Sequence, residues 1–138
     1  MSTTVDIDPT LLQELRTFRL KKSSSKTAAA VVKIDKKKLL MVMDEIYDST
    51  TLDELVEELP EHSPRFIVLS YELHHEHGRI SYPLVLINWA PASSSIELAT
   101  LYASALQNFS VHADVGKVID IRDGELSDTI LRERLGVR

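Results

Sequence analysis

Cysteine is absent from this chain of 138 residues. Its absence excludes disulfide bridges, cysteine nucleophiles and zinc sites built on thiolates. Glycine occurs only four times, and neither GxxxxGK[ST] nor GxGxxG is present, so no glycine-rich loop is available to cradle a phosphate. G-x-S-x-G is missing too, and the plentiful serines therefore lack the strained turn that exposes a hydrolase nucleophile. Nothing in these patterns supports an enzyme.

Long hydrophobic runs are also missing. No apolar segment approaches the roughly 20 residues that a membrane span requires. The N-terminal sequence MSTTVDIDPT has no basic region followed by an apolar core, so it does not have the pattern of a secretory signal. We therefore expect a soluble intracellular protein. Residues 1–138 are enough for one domain that buries its own core without a disulfide or a structural metal.

Positive charge is outnumbered, with a net charge of −5, which argues against broad nucleic-acid binding. The charges are nevertheless segregated along the chain. Two basic clusters and one acidic block comprise Arg16, Arg19, Lys21, Lys22 and Lys26, then Lys36, Lys37 and Lys38, and then Asp53, Glu54, Glu57, Glu58 and Glu61. Such patches can steer a protein toward a charged partner, although charge runs are more often ordinary solvated faces.

Helical spacing of apolar residues predicts four helices, with the sequences DPTLLQELRTFRL, TTLDELVEELP, SSSIELATLYASALQNF and SDTILRERLG. Asp8, Thr51, Ser94 and Ser127 fit their N-caps. Thr51 and Ser94 are each followed three residues later by glutamate, which is the capping-box spacing. Gly136 fits the C-terminal cap of the last helix.

Apolar runs predict five strands, with the sequences TAAAVVKID, LLMVM, RFIVLSYEL, RISYPLVLINWA and GKVIDIR. The first two are expected to form one hairpin, and the next two a longer one. Pro83 removes a ladder donor from the second long strand, which indicates an edge position or a bulge. The order α-β-β-α-β-β-α-β-α predicts an α+β domain with a central mixed sheet flanked by helices on both faces.

The stretch HHEHGRISYP, residues 74–83, joins the two long strands. On a regular strand His74 and Glu76 would point to one face, and His75 and His77 to the other, so they cannot all converge on one ion. Gly78 supplies the turn with a residue that tolerates positive φ. We interpret this segment as a solvated hairpin tip in preference to a metal site, and we expect no cofactor.

Six short motifs occur in order between Leu11 and Gly136. They are KIDK, ELPE, PRFIV, SY, GRISYPL and LRERLG. Together they resemble the glia maturation factor family, a branch of the actin-depolymerising factor homology fold within the cofilin superfamily. That fold is a central mixed sheet flanked by helices, in agreement with the predicted elements.

The resemblance implies a non-enzymatic, monomeric protein that binds the actin-related protein 2/3 complex, inhibits actin nucleation and promotes debranching of branched filaments. Its partners would be that complex and branched filaments at the junction, with weak or no binding to actin alone and no binding to nucleic acid or membrane. The implied location is the cytoplasm and cytoskeleton, at sites of branched actin such as cortical actin patches, with the nucleus as a further location. The alternative is a cofilin-like protein that severs filaments or sequesters monomers.

The resemblance also implies two binding surfaces. The first would hold an actin-related subunit and consists of residues from the N-terminal segment, the long helix and the final helix. We call it the docking surface, and its members are Arg16, Arg19, Lys21, Lys22, Glu97, Ser104, Gln107, Asn108, Arg132 and Arg134. The second, which we call the hairpin tip, would touch the first actin of the daughter filament and comprises His75, Glu76, His77 and Arg79.

One departure from cofilins lies in the long helix. Residues 101–104, LYAS, match, but the following ALQNFSVHA contains no lysine or arginine, whereas cofilins carry several lysines there for actin binding. Weak affinity for actin itself is therefore expected. Ser2 lies where the wider fold family is often phosphorylated, and added charge near Arg16 and Arg19 would weaken a basic interface. An unmodified N-terminal tail is the alternative.

Overall fold

The computed structural model of the protein describes residues 5–20, 26–122 and 126–136, and the following account concerns those residues. They form twelve elements. In chain order these are β1 (Asp6–Ile7), α1 (Pro9–Leu20), β2 (Thr27–Asp35), β3 (Leu40–Thr50), α2 (Leu52–Glu58), β4 (Arg65–Ser70), β5 (Leu73–His74), β6 (Ile80–Ser81), β7 (Leu84–Ala90), α3 (Ile96–Ala113), β8 (Val118–Arg122) and α4 (Asp128–Arg134).

The main sheet has six strands in the order β1-β3-β2-β4-β7-β8. The β2–β3, β2–β4 and β4–β7 pairs are antiparallel, whereas the two outer pairs, β1–β3 and β7–β8, are parallel. One hydrophobic cluster packs α1 and α3 on one face of this sheet, and a second packs α2 and α4 on the other. The predicted α+β fold, with a mixed sheet between helices, is confirmed.

Side-chain caps fix where most of the helices begin. Thr51 Oγ1 accepts a hydrogen bond from the Glu54 amide, and Ser127 Oγ accepts one from the Ile130 amide, as the sequence predicted. The prediction for α3 was wrong by one position: Ser95, rather than Ser94, is the N-cap and accepts from the Leu98 amide. Three adjacent serines offer the same hydroxyl, so the sequence alone did not distinguish their registers.

The long hairpin is interrupted in the middle. Strands β4 and β7 pair within the main sheet, while β5 and β6 form a separate two-stranded sheet. Pro83 lies in the gap between β6 and β7, and it removes one donor where the ladder breaks. Because β7 lies between β4 and β8, it is an interior strand, so the predicted edge position is wrong. The predicted bulge is wrong as well, because the two strands keep the same register on both sides of Pro83 and no extra residue is inserted.

Aromatic packing anchors α3 to the sheet. Phe66 on β4 is fully buried, with its ring centroid 5.1 Å from each of the Tyr102 and Phe109 rings of α3. The Tyr102 hydroxyl accepts a hydrogen bond of 2.9 Å from the Ile34 amide of β2. Phe18 and Trp89 are also buried. Helix α3 is thereby held so that one face packs on the sheet and the other faces solvent.

Candidate functional site

Helices α1 and α3 lie side by side on one face of the sheet and share one hydrophobic cluster. Arg19 Nη1 is 3.2 Å from Asp114 Oδ2, an ion pair that joins the C-terminal ends of the two helices. Arg16 is exposed one turn earlier on α1. The structure therefore places Arg19 of the docking surface at the C-terminal end of α3.

Arg19 has an internal role as well as a predicted external one. Its side chain is only 25% exposed, and its Nε is buried with no hydrogen-bond partner within the described residues. Part of its charge is already directed at Asp114. Among the basic members of the docking surface that the structure describes on α1, Arg16 therefore presents the more accessible charge.

The outer face of α3 supplies polar groups without charge. Ser104, Gln107 and Asn108 are all exposed, as a binding face requires. The Ser104 hydroxyl donates to the Leu101 carbonyl at 2.8 Å, and the Asn108 carbonyl lies 2.8 Å from His112 Nδ1. The two side-chain amides are thus the groups that this face offers to a partner's hydrogen-bond donors and acceptors.

Glu97 lies in the first turn of α3 and pairs with Lys36, whose Nζ is 2.6 Å from Glu97 Oε1. The hydrogen bond and the charge of Lys36 hold the pKa of the Glu97 carboxyl below its usual range. A partner that contacts Glu97 therefore meets a neutralised pair, with Lys36 contributed by the β2–β3 turn. Sequence analysis did not assign Lys36 to this surface, because the contact depends on the tertiary fold.

Two exposed apolar residues on α3 lie beside predicted members of the docking surface and were not among the predicted site residues. Ile96 is 86% exposed and Val111 is 65% exposed. Together with Thr100, Ala103 and Gln107, all exposed, they follow one line along the helix at spacings of three or four residues. We call this line the α3 stripe. The signal was present in the sequence, since both apolar residues lie off the buried face.

A cleft runs beside the α3 stripe, between the helix and the end of the sheet. Asn88, Ser94, Ile96 and Arg122 are among the residues that line it. Asn88 Nδ2 donates to Asp120 Oδ1 at 3.0 Å, but Asn88 Oδ1 and Ser94 Oγ are buried without a partner within the described residues. The border of the α3 stripe thus combines apolar walls with unsatisfied polar atoms.

The final helix contacts the hairpin. Arg132 Nη1 donates a 2.7 Å hydrogen bond to the His74 carbonyl, and Leu131 is buried in the cluster on the face opposite α1 and α3. Arg134 is exposed. The structure therefore joins Arg132 to the base of the hairpin, and the grouping of Arg132 and Arg134 with α1 and α3 in one docking surface stays a prediction.

The hairpin tip is a tight turn with exposed polar side chains. The His75 amide donates to the Arg79 carbonyl at 2.8 Å, and the Gly78 amide donates to the His75 carbonyl at 3.0 Å. Gly78 has a φ of 83°, the left-handed conformation that the sequence led us to expect there. Glu76, His77 and Arg79 are exposed, while His75 is half-buried with Nε2 2.8 Å from Ser81 Oγ.

The histidines of this segment do not converge. His74 Nε2 lies 2.5 Å from Glu72 Oε1, whereas His75 bonds to Ser81 on the neighbouring strand. Within residues 5–20, 26–122 and 126–136, no group of three or more histidine, aspartate or glutamate side chains is arranged to hold a metal ion.

Three residues named in the sequence predictions, Lys21, Lys22 and Ser2, lie outside the described residues. Among the residues that the structure describes, no helix is both long enough and apolar enough to traverse a membrane.

Tyrosine ionisation is expected to lower the stability of the fold at alkaline pH. Burial raises the pKa of Tyr71, and its hydrogen bond to Asp128 raises the pKa further; burial also raises the pKa values of Tyr47 and Tyr102. As the pH rises, the unfolded chain therefore loses its tyrosine protons near the ordinary pKa of 10.0, before the native state loses them. Because the native state then binds more protons, the free energy of unfolding is expected to fall as pH rises above that value.

Urea titrations at a series of pH values check this expectation. The Tyr71→Phe variant should show a shallower decline above pH 10, because one of the shifted groups has been removed. An equal decline in the variant and the parent would contradict the assignment to Tyr71.

The sequence and the fold both match known proteins. Residues 4–136 match the family described as cofilin/tropomyosin-type actin-binding protein. The chain is 42% identical over 132 residues to glia maturation factor beta of Homo sapiens, which covers 95% of this chain and 92% of that protein. Glia maturation factor of Drosophila melanogaster is 37% identical over 131 residues, 94% of each chain. The solution structure of glia maturation factor from Caenorhabditis elegans matches with a TM-score of 0.80 at 34% identity, covering 96% of this chain and 99% of that one. The chain therefore belongs to the cofilin/tropomyosin-type family of actin-binding proteins and, within it, to the glia maturation factor branch.

Proposed function

We propose that this protein binds the actin-related protein 2/3 complex, inhibits actin nucleation by it and promotes debranching of branched filaments. The observation that carries the proposal is the α3 stripe, an exposed and uncharged line on the long helix of a glia maturation factor fold. Ile96 and Val111 place exposed apolar side chains at the two ends of this line, with Thr100, Ala103 and Gln107 exposed between them. Arg16 and Arg19 on the neighbouring helix add positive charge beside it.

The absence of cations on α3 favours an actin-related subunit over actin itself. Residues 105–113 contain no lysine or arginine, so this half of the helix offers neither cation to a carboxylate of the partner. Hydrogen bonds to charged groups contribute roughly 1.5–3 kcal/mol each. A partner with less negative charge opposite this helix would lose little binding energy from the missing cations. The affinity for actin alone should be weak, because those contacts are lost.

Two surfaces on one rigid domain can account for debranching. The α1 and α3 members of the docking surface would hold the actin-related subunit, while the hairpin tip would contact the first actin of the daughter filament. A ligand shifts an equilibrium only by its differential affinity for the two states. To promote debranching, the protein must therefore bind more tightly to the complex after the daughter filament has separated than to the intact junction.

The rival function is that of a cofilin-like protein acting on actin directly. A pull-down with purified protein separates the two, by comparing the purified branching complex with filamentous actin alone. Capture of the complex with little pelleting of pure actin supports the proposal. Strong co-sedimentation with actin in the absence of the complex would support the rival.

Branch lifetimes observed by fluorescence microscopy test debranching itself. Saturating protein should shorten the lifetime of the branches, and the same protein should slow nucleation in a polymerisation assay. Branches that persist equally long with and without the protein would contradict the proposal.

Residues of the hairpin tip should affect release more than binding. Replacing Glu76, His77 and Arg79 with serine leaves the core intact, because all three side chains are exposed. We expect the maximal debranching rate to fall while affinity for the isolated complex is retained. Lys37→Ser with Lys38→Ser, an exposed pair on a different turn, is the control. A loss of affinity equal to the loss of rate would place the hairpin tip within the docking surface.

The remaining aspects of the proposal follow from the same assignment. The protein acts without catalysis or cofactor, as a monomer, in the cytoplasm and cytoskeleton at sites of branched actin. Phosphorylation of Ser2 would add negative charge to the N-terminal segment of the chain and weaken docking to a partner that binds Arg16 and Arg19. Phosphate mapping of protein isolated from cells, together with binding assays on a Ser2→Glu variant, tests that regulation.

A further inference from the structure

The sheet that carries the hairpin tip is too small to hold its own orientation. β5 and β6 pair through only two residue pairs, Leu73 with Ser81 and His74 with Ile80. Between this sheet and the main sheet, the Tyr71 amide donates to the Pro83 carbonyl at 3.0 Å, and Pro83 has no amide to return. Isolated two-stranded hairpins are marginally stable in water. The β5–β6 pair continues the register of β4 and β7 across this break, so its orientation is sensitive to contacts from other elements.

Helix α4 supplies two of those contacts from adjacent turns. The Tyr71 hydroxyl donates a short hydrogen bond to Asp128 Oδ1, and Arg132 Nη1 donates to the His74 carbonyl at 2.7 Å. Asp128 and Arg132 are four residues apart, so they lie on the same side of the helix. One bond lies just before β5 and the other lies at its last residue.

Apolar packing connects the same two elements. Leu73, the first residue of β5, is buried in the cluster that also contains Leu126 and Leu131. On the other side, the Glu72 amide donates to Thr27 Oγ1 of β2 at 3.0 Å. The segment from Tyr71 to His74 is thus held between α4 and the main sheet, while the tip beyond it is exposed.

We propose that Asp128 and Arg132 are positioning residues that fix the direction in which the hairpin tip projects. In this role Arg132 acts on a partner through the hairpin, by contact with the His74 carbonyl, and not through its own charge. We call the two hydrogen bonds, from Tyr71 to Asp128 and from Arg132 to His74, the clamp; both are present in the free protein. Its consequence for debranching rests on the function proposed above, because a rigid tip transmits force to a neighbouring actin and a loose one does not.

Amide hydrogen exchange in the free protein tests the clamp directly. The His75 and Gly78 amides, which donate to Arg79 and to His75, report the integrity of the tip. In Arg132→Ala, and in Tyr71→Phe, which keeps the buried ring, we expect these amides to exchange about fivefold faster. Arg134→Ala is the matched control, because Arg134 is an exposed arginine on the same helix, and it should leave exchange unchanged.

Exchange at the amides of β4 shows that each variant remains folded. Unchanged exchange at His75 and Gly78 in a folded Arg132→Ala variant would overturn the proposal. Acceleration of equal size in Arg134→Ala would overturn it as well, because the effect would then belong to α4 as a whole.

Debranching kinetics test the consequence. A positioning role predicts that Arg132→Ala lowers the maximal debranching rate without changing the protein concentration that gives half of the maximal rate. It also predicts that Arg132→Ala has no further effect when Glu76, His77 and Arg79 have already been replaced. A shift in the half-maximal concentration alone would make Arg132 a direct contact. If the parent protein did not debranch filaments at all, the exchange result would still decide the clamp, so the two failures are distinguishable.

Discussion

Replacing Ile96 with aspartate is expected to weaken binding to the actin-related complex by at least about thirtyfold, the effect of losing an interface hot spot. Ile96 begins the α3 stripe and is 86% exposed in the free protein. A buried anchor at an interface contributes by leaving water, and a carboxylate at the same place would have to be desolvated instead. Binding of the labelled variant to the purified complex measures the loss.

The fold should tolerate this change. Ile96 is the first helical residue after the Ser95 cap, and a negative charge in the first turn interacts favourably with the helix dipole. The midpoint of thermal unfolding should therefore stay the same or rise slightly. Ser49→Asp, which adds the same charge at an exposed position on β3, is the matched control and should bind normally. If Ile96→Asp bound as tightly as the parent, the α3 stripe would not be the docking face.

The regular elements were predictable because local chemistry determined them. Thr51 and Ser127 cap their helices through side-chain bonds to the backbone three residues ahead, and such bonds depend only on nearby sequence. β3 was predicted to end at Met43 but continues to Thr50. Its second half contains polar residues that carry no strand pattern of their own, and it is held by pairing with β2. β1 was missed because two residues become a strand only by pairing with β3.

The binding surfaces divide in the same way between local and tertiary causes. Gly78 and the exposed residues after it were predicted, because a turn glycine and consecutive polar side chains are local features. The pair of Lys36 with Glu97 and the bond from Arg132 to His74 join residues 61 and 58 positions apart, so no local pattern could predict them. Ile96 is an intermediate case, since its exposure follows from the helical phase of α3 once the buried face is known.

Truncation of Phe66 is expected to have the largest effect on stability. The Phe66 side chain is fully buried, with an accessible area of 0%. Its ring contacts the rings of Tyr102 and Phe109 on α3. Phe66→Ala should lower the free energy of unfolding by about 3–5 kcal/mol, because it removes a large buried surface and leaves a void. For a chain of this length the unfolding midpoint should fall by about 10–20 °C. Thermal and urea unfolding measure both quantities, and Phe66→Leu should lose less because it fills part of the void.

The same variant tests how α3 is held. The Phe66 ring is stacked on Phe109 with an interplanar angle of 18°, so each ring supplies part of the other's contact surface. Residues in contact give non-additive changes in stability. We therefore expect Phe66→Ala with Phe109→Ala to cost less than the sum of the two single changes, whereas Phe66→Ala with Leu55→Ala should be additive, because Leu55 lies in the cluster on the other face of the sheet. Additivity in both pairs would mean that the stacked rings do not join α3 to β4. In that case the α3 stripe would have to be positioned by the remaining contacts, chiefly the hydrogen bond from Ile34 to the Tyr102 hydroxyl.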